Sequence, residues 1–219
     1  MFGSAVEDYV KTLYELGRGQ DPVAPKAVSE AMRVSLPAVT KMVRRLQELR
    51  LVTYARAEGI DLTPAGRKVA LEVLRHHRLL EVYLKEALGY SWDQVDEEAE
   101  KLEHHISEEF EDRIDRMLGF PTRDPHGAPI PSKDLHIDDP PHPTLAEIPS
   151  GVQVRVARVS DRDPALLRYL AELGLYPQTL VEVVEREPFG GPLRLLVEGT
   201  PCHVGDELAR HIFVQEDES

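Results

Sequence analysis

Apolar residues at Val6, Tyr9, Val10, Leu13 and Leu16 recur at the spacing of one helical face. Gly17-Arg18-Gly19 then predicts the end of that helix. Pro25 sits where a first-turn proline opens a second helix, with Ala27, Val28, Ala31 and Met32 on its apolar side. Ser35 is suited to cap a third helix over 36–49, with Pro37 in its first turn and Val39, Val43, Leu46 and Leu49 facing in. Residues 51–54 and 59–63 alternate around a turn, which predicts a small hairpin. Pro64 opens a long helix over 65–88, and a second long helix is expected over 92–118. The latter carries an apolar stripe at Val95, Ala99, Leu102, Ile106, Phe110 and Met117, fit for core packing or a dimer seam.

Periodicity stops over 119–149, where eight prolines occur in 31 residues. Proline fixes φ and removes a donor, so this segment reads as a semi-rigid linker or extended arm. Strands are then expected at 152–159, 180–186, 193–197 and 212–214, with a helix over 163–173 and a turn at Phe189-Gly190-Gly191-Pro192. Short strands with one helix in so little chain predict a small β-barrel.

Charge changes the picture of the first part. The chain of 219 residues has a formal charge of −13, which by itself argues against nucleic acid. Residues 1–75, however, hold 12 Lys and Arg against 9 Asp and Glu, while the remainder holds 14 against 30. Within 33–56 there are six cations and one anion. Affinity for DNA depends on local cations facing phosphates, not on whole-chain charge. Two helices joined by a short turn, the second one basic, followed by a hairpin, describe a winged helix-turn-helix. Its recognition helix would present Ser35, Pro37, Ala38, Thr40 and Lys41 to base edges or phosphates, with Arg44 on phosphate and Arg56 reaching backbone from the wing. The bland reading of this helix is an amphipathic element with a solvated cationic face.

The second candidate chemistry lies at Glu100, Glu103 and His104. On a continuous helix, positions i, i+3 and i+4 share a face. Two carboxylates and an imidazole suit Mn²⁺, Fe²⁺ or Zn²⁺. Such a triplet alone is more often a solvated helix face. His105 would point about 100° away and stay at the surface. His126, His136 and His142 have irregular spacing and read as solvated loop. Cys202, the only cysteine, excludes an intrachain disulfide and a thiolate zinc site, and with His203 reads as a barrel residue. No apolar run reaches a membrane-spanning length and no signal pattern opens the chain, so a cytoplasmic protein is expected.

The segments Val34-Ser35-Leu36-Pro37-Ala38-Val39-Thr40, Leu62-Thr63-Pro64-Ala65-Gly66, His77-Arg78-Leu79-Leu80-Glu81, Glu100-Lys101-Leu102-Glu103-His104 and Asp124-Pro125-His126-Gly127-Ala128-Pro129-Ile130-Pro131 occur in an order that resembles the metal-dependent repressors typified by the diphtheria toxin repressor and the manganese transport regulator. The resemblance covers nearly the whole chain. It implies a mainly α fold with small β elements: a winged helix-turn-helix over 1–64, a helical metal-binding and dimerisation domain over 65–125, a proline-rich linker over 126–150 and an SH3-like, FeoA-like domain over 151–219. It also implies a homodimer that reads a palindromic operator in double-stranded DNA when metal is bound.

Within that resemblance, Asp8 matches an N-terminal ligand, and Asp8 and Glu100 stand where iron-type members have Met and Cys. Replacing sulfur by hard oxygen favours Mn²⁺, with Fe²⁺ as the alternative. His77 and Glu81 match second-site ligands, and His77 serves the first site in manganese-type members. Asp163 matches a carboxylate ligand of the SH3-like domain, while Leu166 falls at an amide position. Asp96 and Lys11 stand where other members have ligating His and Glu. Two rival readings are a metal-independent winged-helix repressor gated by a small organic ligand, and a di-metal carboxylate oxidase. The oxidase needs repeated Glu-x-x-His pairs, and position 101 is Lys with no second copy. No nucleophile triad or phosphate loop appears either, so the chain is expected to be a regulator of metal-homeostasis genes, not an enzyme, with no organic substrate and no membrane partner.

Overall fold

The computed structural model describes residues 2–17, 21–161, 163–188 and 191–217. Arg18 and Gly19 of the expected helix stop, and Phe189 and Gly190 of the expected turn, lie outside the described residues. Two compact units result: one of residues 1–77, 102–107 and 131–137, the other of 78–101, 108–130 and 138–219.

The first unit contains α1 (Ser4–Leu16), α2 (Pro25–Ala31), α3 (Leu36–Glu48), the hairpin β1 (Val52–Ala55) and β2 (Gly59–Leu62), and the opening turns of α4 (Pro64–Leu88). Val6, Val10 and Leu13 of α1 pack with Val28 of α2 and with Val39, Val43 and Leu46 of α3 in one buried cluster. Prolines open α2 and α3, and the Ser35 hydroxyl accepts the Ala38 N–H at 3.4 Å. Arg33, at φ +54°, makes the tight turn between them. The hairpin is antiparallel from Val52↔Leu62 to Ala55↔Gly59. A Cβ on Gly66 would lie 2.0 Å from the Leu51 carbonyl oxygen, so only glycine lets α4 pass this close to the wing.

The second unit holds the rest of α4, α5 (Val95–Leu102) as far as Lys101, α6 (Glu108–Met117) and a five-stranded antiparallel sheet. Its strands are β3 (Val152–Val159), β4 (Leu180–Arg186), β5 (Leu193–Val197), β6 (Thr200–Val204) and β7 (Ile212–Glu216), in the order β6-β5-β4-β3-β7. Two short helices, α7 (Pro164–Glu172) and α8 (Asp206–Ala209), complete it. Val154, Val156, Val181, Val183, Leu193 and Leu195 alternate into a core that Leu167 and Leu170 of α7 join. Strand β6 escapes expectation because Pro201 breaks the strand-forming sequence pattern; proline is tolerated there because β6 is the sheet edge.

The long helix expected over 92–118 is two helices, α5 and α6, parted by a turn at 103–105. The break resets the apolar phase. Val95 and Ala99 are buried, but Phe110 and Met117 are exposed and Ile114 is buried in their place. At the break, Nδ1 of His76 lies 3.1 Å from the Glu103 carbonyl oxygen, a tertiary partner for a group that a continuous helix would satisfy internally. No helix among the described residues is long and apolar enough to cross a membrane.

Candidate metal centres and nucleic-acid interface

Helix α1 has two working faces. Val6, Tyr9, Val10 and Leu13 pack into the helix-turn-helix core, and the opposite face carries Glu7, Asp8 and Lys11. In the same unit the turn after α5 brings Glu103 and His104 to that face. Nε2 of His104 lies 2.7 Å from Oδ1 of Asp8 and 3.4 Å from Oε1 of Glu103. Asp8, Glu103 and His104 each offer one ligand atom within 4.8 Å of the others. Nδ1 of His104 sits 2.7 Å from a carboxylate oxygen of Glu7, which orients the ring and leaves Nε2 toward Asp8 and Glu103.

Glu103 is fully buried and surrounded by nitrogen. Lys11 donates to both carboxylate oxygens at 2.9 and 2.7 Å, and Nδ1 of His77 lies 2.5 Å from Oε2. Burial alone would raise the Glu103 pKa, but His77 and Lys11 outweigh it and hold the carboxyl below its ordinary range. A cavity of about 220 Å³, lined in part by Glu7, His76, Glu103 and His104, opens beside the cluster and gives an ion room to enter.

A second cluster lies within the other unit. Glu81, Asp124 and His126 also bring ligand atoms within 4.8 Å of one another, and all three are buried. The Asp124 Oδ1 accepts the backbone N–H groups of His126 and Ala128 at 2.8 and 2.9 Å. Nε2 of His126 lies 2.7 Å from the Trp92 carbonyl oxygen, so Nδ1 faces inward. Nδ1 is 3.3 Å from Oε1 of Glu81 and Oδ2 of Asp124 is 3.6 Å from Nε of Arg78, ion pairs at longer range than a good hydrogen bond. Buried polar atoms left without hydrogen bonds are costly. Asp124 and His126, together with Glu81, form a buried set of ligand atoms close enough to share one cation.

Electrostatics couple these groups to one another. Burial and then Glu81 push Asp124 up to about 7, against the opposing pull of Arg78 and His126. Burial would lower His126, but Glu81, Asp124 and Asp161 override it and push the imidazole up to about 9.

Among the expected ligands, Asp8, Glu103 and His104 converge in the first unit, and His77 joins them through Glu103. Glu81 faces Asp124 and His126 instead. Glu100 is exposed in the last turn of α5. Asp163 is exposed and caps α7, its Oδ1 accepting the Ala165 N–H at 2.8 Å. The reading of His126 as solvated loop is overturned: the ring has 0% exposure. Its neighbour explains why. Gly127 adopts φ +93°, and a Cβ there would meet the Ala157 carbonyl oxygen at 2.2 Å, so the tight turn packs directly on β3. Proline content pointed to an open linker, whereas the Asp-Pro-His-Gly order was the usable signal. His105 and His136 are exposed, as expected. Glu7 and Lys11 were not expected to act at the centre; both sit on the ligand face of α1.

The nucleic-acid candidates Ser35, Pro37, Ala38, Thr40, Lys41 and Arg44 are all exposed at the start and outer face of α3, and Arg56 is exposed in the wing turn. Thr40 donates its hydroxyl to the Leu36 carbonyl oxygen at 2.9 Å, so its methyl and acceptor lone pairs are what it can offer DNA.

Three family models match the chain in series: the iron dependent repressor N-terminal DNA binding domain at residues 1–60, the iron dependent repressor metal binding and dimerisation domain at 63–132, and the FeoA domain at 144–216. The iron-dependent repressor IdeR of Mycobacterium tuberculosis is 33% identical over 223 residues, covering 96% of each chain. The diphtheria toxin repressor of Corynebacterium diphtheriae is 29% identical over 221 residues, again covering 96% of each. Among solved structures, a manganese-dependent transcriptional repressor in complex with manganese superposes with a TM-score of 0.89 at 39% identity, covering 96% of this chain and 99% of that one. ScaR with bound Zn²⁺ superposes with a TM-score of 0.81 at 35% identity over 96% and 99%.

Proposed function

The chain belongs to the family of iron- and manganese-dependent transcriptional repressors, and from that premise we propose that it is a Mn²⁺-favouring switch held by Asp8, Glu103 and His104. The protein is a metal-responsive, DNA-binding transcriptional regulator and not an enzyme. The observation that carries the metal reading is the convergence of Asp8, Glu103 and His104, which offer oxygen and imidazole nitrogen and no sulfur. Such donors favour Mn²⁺ over thiophilic ions, with Fe²⁺ as the alternative. Glu81, Asp124 and His126 would hold a second ion, since their buried ligand atoms already lie within 4.8 Å of one another. His77 serves by orienting Glu103. Glu100 is a candidate ligand on its sequence pattern, and Asp163 is better explained as a helix cap.

When bound at the first centre, a divalent cation supplies two positive charges between α1 and the turn after α5. Asp8 pulls on α1 from one side, and Tyr9 and Val10 transmit its position to the helix-turn-helix core from the other. The orientation of α3 is therefore tied to the ligand geometry. In a homodimer, two α3 helices must enter successive major grooves about 34 Å apart, and a palindromic operator is expected. An ion held more tightly in a DNA-competent arrangement than in any other would shift the protein toward DNA binding. Pro37 and Ala38 would contact thymine methyls, Ser35, Thr40 and Lys41 bases or phosphates, and Arg44 and Arg56 the backbone. The exposed apolar residues Leu88, Met117 and Phe120 would supply dimer contacts. A cytoplasmic location and control of metal-homeostasis genes follow from this role.

The test is fluorescence anisotropy with a duplex selected in vitro from random DNA by the Mn²⁺-loaded protein. Affinity should rise at least about tenfold with Mn²⁺ over chelator (~1.4 kcal/mol). Equal affinity under both conditions would refute the switch.

A further inference from the structure

We infer that Lys11 is a tethered cation that sets how tightly the Asp8–Glu103–His104 centre takes a divalent ion. The inference rests on the metal reading above and adds a residue that is not itself a ligand. The Lys11 ammonium lies 2.9 and 2.7 Å from the two Glu103 oxygens and 3.2 Å from Nδ1 of His77. A carboxylate and an imidazole are the groups that hold a divalent ion, so the ammonium occupies a cation seat. The tether is short: Lys11 follows Asp8 by three positions on α1, which places both on one helical face.

Two effects of Lys11 oppose each other. It orients Glu103, which helps an ion bind. It also places a positive charge 2.9 Å from Oε1, the Glu103 atom nearest Nε2 of His104, which repels an ion held there. With side-chain exposures of 9% for Lys11 and 0% for Glu103, water screens that repulsion poorly. Orientation survives without Lys11, because His77 grips the same carboxylate at 2.5 Å. Repulsion does not survive. The charge effect therefore wins, and Lys11 weakens the centre, keeping it responsive to changing ion levels instead of permanently filled.

The experiment is calorimetric titration of full-length, chelator-treated protein with Mn²⁺ at fixed pH. Lys11→Met should tighten binding at least about tenfold, Lys11→Arg should stay within about threefold of wild type, and adding Asp8→Asn to Lys11→Met should abolish the gain. Wild-type binding that Lys11→Met leaves unchanged or weakens overturns the inference, as does Lys11→Arg binding as tightly as Lys11→Met. Circular dichroism checks folding, and Lys11→Gln replaces Lys11→Met if the methionine variant unfolds. If neither neutral variant folds, Lys11 is a structural counter-ion and the inference fails. Absence of Mn²⁺ uptake by the wild type refutes the metal reading itself, a separate outcome.

Discussion

Glu103 places a carboxylate with no exposed surface against an ammonium and two imidazoles. Removing it strands Lys11 inside the unit, and breaking a buried pair in this way costs roughly 3–5 kcal/mol. Glu103→Ala should accordingly lower Tm and abolish the Mn²⁺ response of DNA binding, read by calorimetry and anisotropy. A variant with wild-type Tm and intact response would refute its role. His126 gives a pH dependence of definite sign. Its folded pKa of about 9 exceeds the ordinary 6.5, so the protonated ring stabilises the fold fully below pH 6.5, and that contribution is lost as pH rises through 9. Asp124, raised from 3.8 to about 7, acts in the same direction over a lower window. Thermal melts in EDTA should show Tm falling between pH 6.5 and 9, with a shallower fall in His126→Asn. A metal ligand must shed that proton, so Mn²⁺ uptake at this cluster should release protons and strengthen as pH rises. Heats independent of buffer ionisation enthalpy would contradict this.

Elements decide which of these residues can meet. Helical spacing put Glu100, Glu103 and His104 on one face, but α5 ends at Leu102, and the turn lets consecutive residues reach different partners: Glu103 meets Lys11 and His77, and His104 meets Glu7 and Asp8. No periodic pattern announces such a break, because it is sustained by tertiary partners such as His76 at the Glu103 carbonyl. The turn at Gly127 is the second such element. Gly127→Ala combines a positive φ with a Cβ 2.2 Å from backbone oxygen, and the left-handed conformation alone costs a side chain about 1–2 kcal/mol. The variant should lose more than about 2 kcal/mol in urea denaturation and lose metal from the Asp124–His126 cluster with it. An unaltered denaturation midpoint would show that β3 yields to the methyl.

At the scale of the whole molecule, a net charge of −13 coexists with a basic helix and wing, and DNA affinity must come from those few cations. Lys41→Ala should weaken binding across sequences and reduce the slope of log affinity against log salt by about 1 per contact, hence about 2 for a dimer. An unchanged slope would place Lys41 off the phosphates. The winged helix-turn-helix, the long α4 and four of the five sheet strands were legible in the sequence because proline starts, caps and apolar periods are local signals. The series of motifs was legible for the same reason. Glu81 and His77, one turn apart on α4, were read as one pair, yet their partners within the two units differ: Glu103 for His77, and Asp124 with His126 for Glu81. Lys11 read as a departure from a ligand pattern, and His126 as loop. The amino-acid order by itself determined which groups with metal and DNA chemistry exist and which helices and strands carry them. Only the tertiary structure decided which of those groups share a site, because burial, counter-charge and a broken helix depend on atoms far apart in the chain.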